Sequence, residues 1–289
     1  MARSASWWFL ALGLLGCLNA RAAGPVWAIR GAHDTVYLAG SIHLLPAADA
    51  ELPPALLRAY ADSSSLVMEI DLGALDPPEL ESTLLAHGSL PADTSLAAVL
   101  GPERYQRVSA AAAALGLPAA ALDRQRPWMI GLELTELQYA HLGFDPEQGV
   151  EQQLVRRAHA DHRPTAGLEQ LSDELAVFEA LAPRAQLRFL DMVVDDLADT
   201  AEDTHAVLEA WQRGDVRRLA ALLAREYRED PALYRALVSE RNRAWLPAIE
   251  RLLEGDANCL VVVGALHLVG GGGLLELLRK DGHPARQLD

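Results

Sequence analysis

Two histidines stand in matching surroundings at opposite ends of the chain. Leu38-Ala39-Gly40-Ser41-Ile42-His43-Leu44 is echoed by Val262-Val263-Gly264-Ala265-Leu266-His267-Leu268. Each copy has a hydrophobic run, a glycine, a small residue and an aliphatic residue, then histidine and leucine. Neutral imidazole is a common ligand for zinc and other divalent transition metals. Glycine at a strand end lets the backbone turn or come close to a ligand, which makes Gly40 and Gly264 candidate substrate contacts. If the two runs are neighbouring parallel strands, both imidazoles reach the crevice outside the strands' carboxyl ends, where α/β sheets bind ligands. A single histidine after a strand is more often a hydrogen-bonded loop residue; the repetition of the whole pattern is what points to a site.

Two imidazoles do not complete a catalytic metal centre, which takes three protein ligands and leaves a place for water. Glu69 is the leading third member. It lies in Ser-Leu-Val-Met-Glu-Ile, residues 65–70, where an acid inside an apolar strand is costly unless paired or ligated. Alternation onto a solvated face is the plainer alternative. Asp71 has a similar position at the strand exit. His159 and His162 share a helix spacing but sit in a strongly charged stretch and read as a solvated helix end. The chain holds neither a His-Glu-x-x-His zincin motif nor a Gly-x-Ser-x-Gly elbow, since Ser41 lies in Gly-Ser-Ile-His. The Gly270–Gly273 run reads as a flexible lip of the crevice.

The elements that must position these groups are legible around them. Residues 26–30 and 35–39 read as two short strands joined by a turn. Pro53 and Pro54 open a helix to about residue 62, and residues 65–70 form the next strand, so strand–helix–strand predicts parallel pairing. Apolar spacing then predicts helices near 78–87, 102–115, 127–142, 147–160, 172–181, 183–212, 215–225 and 230–253. A short strand at 164–169 interrupts them. Residues 258–263 form a strongly apolar strand, 274–280 a helix and 284–288 an edge strand. The expected fold is α/β: a central, mostly parallel sheet built from both ends of the chain, with a large helical insertion over about 77–255.

These motifs resemble the TraB/GumN family: Gly-x-x-His near the amino end, an acid in the next strand, and Gly-x-x-His-Leu-x-Gly near the carboxyl end. Gly149-Val150-Glu151, Gly167-Leu168-Glu169-Gln170, and Arg241-Asn242 leading into Trp245 resemble further elements of that family. The resemblance spans about residues 26–288. It implies a metal-dependent hydrolase, since the family includes metalloproteases acting on secreted signalling peptides. It implies a metal centre of His43, Glu69 and His267, with Glu151, Glu169 and Arg241 lining or bracing it. A divalent transition metal (zinc, manganese or cobalt) would activate water. Glu69 or Glu151 would move the proton and Arg241 would hold the oxyanion, with Glu169 contacting substrate. Two other classes remain open: a binding protein that sequesters a peptide or metal without turnover, and a helper of envelope polysaccharide assembly.

Composition bounds the partners. The formal charge of the 289-residue chain is −15, which disfavours nucleic acid and anionic membrane faces. Lys280 is the sole lysine among 25 basic residues. Arg3, the apolar run from Trp7 to Leu15 and Ala20-Arg21-Ala22 read as a signal peptide over residues 1–22. That run is too short for a transmembrane helix, so a periplasmic or secreted protein is expected, with lipidation at Cys17 as the rival outcome. Cys259 then has no intramolecular disulfide partner and reads as a buried, inert thiol.

Overall fold

In a computed structural model, which describes residues 24–197, 200–226 and 230–289, the described strands are eight. In chain order they are β1 (Val26–Arg30), β2 (Thr35–Ser41), β3 (Leu45–Pro46), β4 (Ser65–Met68), β5 (Phe144–Asp145), β6 (Thr165–Gly167), β7 (Cys259–Gly264) and β8 (Arg286–Gln287). The signal-peptide and Cys17 expectations lie outside the described residues.

Six strands form one sheet in the order β6-β4-β7-β2-β1-β8. β6, β4, β7 and β2 are parallel, while β1 and β8 pair antiparallel at one edge. The α/β class and the adjacency of the two Gly-x-x-His strands are therefore as expected. β7 lies between β4 and β2, and all six of its residues are buried. An interior parallel strand has both faces covered, which is why Cys-Leu-Val-Val-Val-Gly is apolar without alternation. Its side chains nonetheless divide by face. Leu260 and Val262 pack with the helices Pro54–Asp62 and Val150–Ala160 and with Trp211. Cys259, Val261 and Val263 pack against Trp245, Ile249, Leu274 and Leu278. Helices thus cover both faces. The Cys259 thiol is buried in this packing, and burial pushes its pKa up.

Between β4 and β7 the chain is mainly helical, and the insertion has apolar clusters of its own. One gathers Leu96, Val108, Leu122, Ile130, Leu134 and Leu190. A second joins Trp128, Phe178 and Phe189 to Leu237 and Val238, with Leu266 packed against it beside His267.

Some elements differ from expectation. The stretch read as one helix over 183–212 holds two, Pro183–Asp196 and Thr200–Gln212. The stretch 230–253 is Pro231–Tyr234, a π-helical turn Arg235–Glu240, and the helix Arg241–Leu253. Such wide turns are rare and concentrate at functional sites, and this one delivers Arg241. β4 ends at Met68, so Glu69 stands just past the strand rather than inside it. The glycine run Gly270–Gly273 is tied down, since Asn242 donates to the Gly272 carbonyl and the Tyr234 hydroxyl to that of Gly271.

Candidate functional site

The carboxyl ends of three adjacent strands bring the leading candidates together. β4 delivers Glu69, β7 delivers Gly264 and the short helix Ala265–Leu268, and β2 delivers Ser41 and the loop to His43. A Cβ built on Gly264 would lie 3.3 Å from Glu69 Oε1, 3.5 Å from His43 Nε2 and 3.7 Å from His267 Cδ2. Both imidazoles and the acid therefore face one small space, and Gly264 is the residue that leaves it open. Gly40, by contrast, lies behind the site: its carbonyl accepts the Trp211 indole N–H at 2.7 Å and it packs on Ala265. Asp71 stays apart, accepting the Gly73 N–H at 3.1 Å in its own turn.

The position of His43 depends on a second small sheet. β3 pairs with β5, which ties the loop after His43 to the segment ahead of the Val150–Ala160 helix. Val150 N–H bonds the Ile42 carbonyl at 3.1 Å, and a Cβ on Gly149 would collide with the His43 carbonyl oxygen. Only glycine permits that approach. Glu151, in the first turn of the helix, consequently reaches the strand ends. Its Oε1 lies 2.9 Å from His43 Nδ1 and also accepts the Ser41 hydroxyl, while its buried Oε2 lacks a hydrogen-bond partner among the described residues. The Glu151 carboxylate raises the His43 pKa well above the ordinary imidazole value. The His43 side chain is 63% exposed, so solvent moderates that shift. Burial works against the Glu151 charge, but His43 overrides it and holds the carboxyl below its usual range.

His267 is held from the other side. Asn242 Nδ2 donates to the carbonyls of His267 and Gly272, at 3.0 and 2.9 Å, so its Oδ1, 2.7 Å from His267 Nδ1, must accept. The proton is thereby placed on Nδ1 and the lone pair on Nε2. Burial lowers the His267 pKa to about 4, so the ring is neutral at pH 7. Its face packs on Trp245, with ring centroids 4.6 Å apart.

Arg241 anchors the acids. Its Nη2 donates to Glu69 Oε2 at 2.8 Å, Nε donates to Glu169 Oε1 at 2.9 Å, and Glu174 Oε1 lies 3.4 Å from Nη2. Trp245 Nε1 donates to the other oxygen of Glu169 at 2.9 Å. Glu69 Oε1 also accepts the Gly264 N–H at 2.6 Å. Burial alone would raise the Glu69 pKa, but its cationic neighbours and that N–H bring it down to about 2. Those neighbours are His267, Arg241 and His43, in that order of effect. Glu174 is shifted the other way, upward, by burial and by the neighbouring Glu69 and Glu169.

All six acid, arginine and histidine residues expected at the site thus converge, with Glu169 braced on Arg241 and Trp245. Asn242, Glu174 and Ser41 join them. Asn242 and Trp245 lay in a recognised motif, but no sequence signal separated Glu174 from other acids on amphipathic helices.

Among the described residues, no group of three or more His, Cys, Asp or Glu side chains is disposed to hold a metal ion as placed. The Arg241 guanidinium explains this in part, since Nη1 lies 3.4 Å from His267 Nε2 and Nη2 occupies Glu69 Oε2. The donor chemistry nevertheless suits a divalent cation. Both histidines bind an acceptor through Nδ1, the arrangement that orients metal-bound imidazoles. The unpartnered Glu151 Oε2 and the three carboxylates, Glu69, Glu169 and Glu174, gathered around a single guanidinium leave local negative charge unmatched.

A mostly parallel sheet with a helical insertion, two Gly-x-x-His strands side by side and an arginine–carboxylate cluster between them define the class. The chain belongs to the TraB/PrgY/gumN family, whose model matches residues 25–287. It is 28% identical over 243 residues to the uncharacterized protein YbaP of Escherichia coli (strain K12), covering 84% of this chain and 87% of that one. YbaP of Shigella flexneri gives the same 28% identity and coverage. An uncharacterized protein of Treponema pallidum (strain Nichols) is 24% identical over 286 residues, covering 94% of this chain and 85% of its own. No solved structure matches the chain.

Proposed function

We propose that this chain is an exported metal-dependent hydrolase acting on peptides, with His43, Glu69 and His267 holding a divalent transition metal such as zinc, manganese or cobalt. The observation that carries this reading is the paired Nδ1 anchoring of the two imidazoles, by Glu151 and by Asn242, on either side of Glu69. Histidines that merely fill a core need one hydrogen bond each and no shared space between them. The bound ion would supply Lewis acidity and lower the pKa of a water.

The protein's own groups divide the remaining work. Arg241 presents a cation to a developing oxyanion or a substrate carboxylate. Glu69, ionised and tied to Arg241 and Gly264, is a poor base and suits ligation. Glu174, 27% exposed and shifted toward neutrality, is better matched to carry a proton than Glu69, and Glu151 retains an unpartnered oxygen for the same task. Glu169 and Trp245 keep Arg241 in place.

A second reading, a binding protein that sequesters peptide or metal without turnover, is favoured by one observation: Arg241 already satisfies Glu69 and approaches His267 Nε2. One experiment separates the two. The purified mature chain is assayed for bound metal and for cleavage of a peptide library, beside His43→Ala and His267→Ala. Stoichiometric metal and cleavage, both lost in the variants, support the hydrolase. Metal or peptide retained without cleavage supports the binder, and a wild-type chain that retains neither metal nor peptide overturns both.

A further inference from the structure

The parallel strands also have an amino end, and a buried acid stands there without a counter-charge. Asp34 closes the turn between β1 and β2 and is 6% exposed. Neither of its carboxylate oxygens has a hydrogen-bond partner among the described residues. Buried carboxylates are normally met by donors or by an ion, because an uncompensated one is costly.

The atoms that the two oxygens face are themselves acceptors. A Cβ built on Gly31 would collide with Asp34 Oδ1 and lie 2.5 Å from the Leu253 carbonyl oxygen, so these two oxygens share the space that the glycine leaves. On the other side, a Cβ on Gly255 would lie 3.6 Å from Asp34 Oδ2 and 3.1 Å from the Leu252 carbonyl oxygen. Each carbonyl accepts one backbone N–H, from Ala32 and from Gly255, and keeps a second lone pair. Both belong to the last turn of the Arg241–Leu253 helix, where the aligned peptide dipoles present negative charge. Burial raises the Asp34 pKa and the neighbouring Asp256 adds to the rise, while its own backbone N–H and the exposed His33 pull the other way without prevailing. A carboxylate at the wrong end of a helix, beside a second acid, is an arrangement that a cation would complete.

We propose that Asp34, Asp256 and the Leu252 and Leu253 carbonyls form a calcium site that ties the β1–β2 turn to the end of the Arg241–Leu253 helix. Calcium is held by carboxylates, main-chain carbonyls and water in a flexible shell of roughly six to eight oxygens. The donors gathered here are oxygens of those kinds, and two carboxylates balance the charge of one divalent ion. Magnesium demands a regular octahedral shell and gives up its waters reluctantly, which suits it less to carbonyls fixed by a helix end. With only two acids the affinity belongs in the range of about 10⁻⁴–10⁻³ M typical of extracellular calcium modules. The helix so held carries Arg241 and Asn242 at its other end. The site lies at the opposite end of β2 from His43, so this inference stands or falls apart from the hydrolase reading.

The test is thermal denaturation of the mature chain in EGTA and then in rising calcium chloride, against magnesium chloride at the same concentrations. Asp34→Asn is run beside it. That change is isosteric and removes a buried, unpaired charge, so in EGTA the variant should melt no lower than wild type. The expected result is a saturable rise in the wild-type Tm of a few degrees at millimolar calcium, larger than with magnesium and at least halved in the variant. Titration calorimetry with calcium chloride should show one bound ion per chain that Asp34→Asn removes. Asp256→Asn, at an exposed position that leaves the fold intact, should weaken that ion's binding severalfold. Calcium bound at the histidine site would stabilise wild type and Asp34→Asn equally, and that outcome overturns the proposal. So does unchanged affinity in Asp256→Asn, or a calcium effect no larger than that of magnesium, which would leave a proton or a water as the partner of Asp34.

Discussion

The Asn242 side chain bridges the two ends of the His267 segment: its amide nitrogen donates to the carbonyls of His267 and Gly272, and its oxygen faces His267 Nδ1 at 2.7 Å. One buried residue thus sets the backbone path, the ring orientation and the tautomer together.

Asn242→Leu should be costly in stability. It leaves the His267 ring N–H and two carbonyls without their partner, and each buried polar group so orphaned costs roughly 1–3 kcal/mol. A loss of at least about 2 kcal/mol in urea titration is expected on that basis. Asn242→Asp keeps the acceptor for Nδ1, so it should retain more metal uptake than the leucine variant. Equal metal uptake in the two would show that the tautomer is not what Asn242 controls.

Gly264→Ala separates site from fold. The backbone there, at φ −49° and ψ 136°, is open to alanine, so stability should fall by no more than about 1 kcal/mol. The new methyl enters the space between Glu69, His43 and His267. Metal uptake measured by mass spectrometry should drop at least about tenfold, a difference of 1.4 kcal/mol. Full uptake by a stable alanine variant would move the metal elsewhere.

Arg241 and the surface pair Arg156–Glu147 make a contrast in burial. Arg241 is 7% exposed, and removing one member of a buried ion cluster costs roughly 3–5 kcal/mol because the partner charges are stranded. Arg156 and Glu147 are 48% and 72% exposed, and such pairs contribute about 0–1 kcal/mol. Alanine at position 241 should therefore lower the unfolding free energy several times more than alanine at position 156. A double-mutant cycle between Arg241 and Glu69 should also show coupling, whereas additive losses would contradict the direct bond.

Acid stability should report Asp230. It accepts from Arg188 and caps Leu233 N–H at 3.1 Å. Burial opposes its charge, but these bonds prevail and hold the carboxyl below its ordinary value of 3.8. A depressed folded-state pKa means the unfolded chain takes up the proton first. The contribution is complete above pH 3.8 and is lost as pH falls through the lower folded value. Asp230→Asn should flatten that part of the urea midpoint's pH profile; an unchanged profile would count against the pairing.

Much of the site was readable because its motifs are local. Gly-x-x-His, an acid after Val-Met, and Arg241-Asn242 leading into Trp245 each lie within a few positions. The echo itself misleads on one point. Gly40 and Gly264 are equivalent in sequence, yet Gly40 pairs with Val263 and Ser41 with Gly264. The shift leaves Gly40 under Trp211 and only Gly264 at the crevice. Register is written into a sequence when one face is apolar and the other polar, and β7 is apolar on both. The π-helical turn before Arg241 was hidden for a related reason, since helical periodicity averages over several turns and one widened turn barely alters it.

What the sequence determined alone was the set of elements and the identity of most reactive groups: interior strands from uninterrupted apolar runs, helices from periodic spacing, and two histidines placed just beyond glycines. What tertiary structure decided was which partner each group meets. Glu151 reaches His43 because β3 and β5 pair across about a hundred residues, Glu174 arrives on a helix like many others, and Arg241 settles between Glu69 and His267. Such contacts depend on the balance between desolvation and attraction at sites remote in the chain, and that balance exists only once the chain has folded.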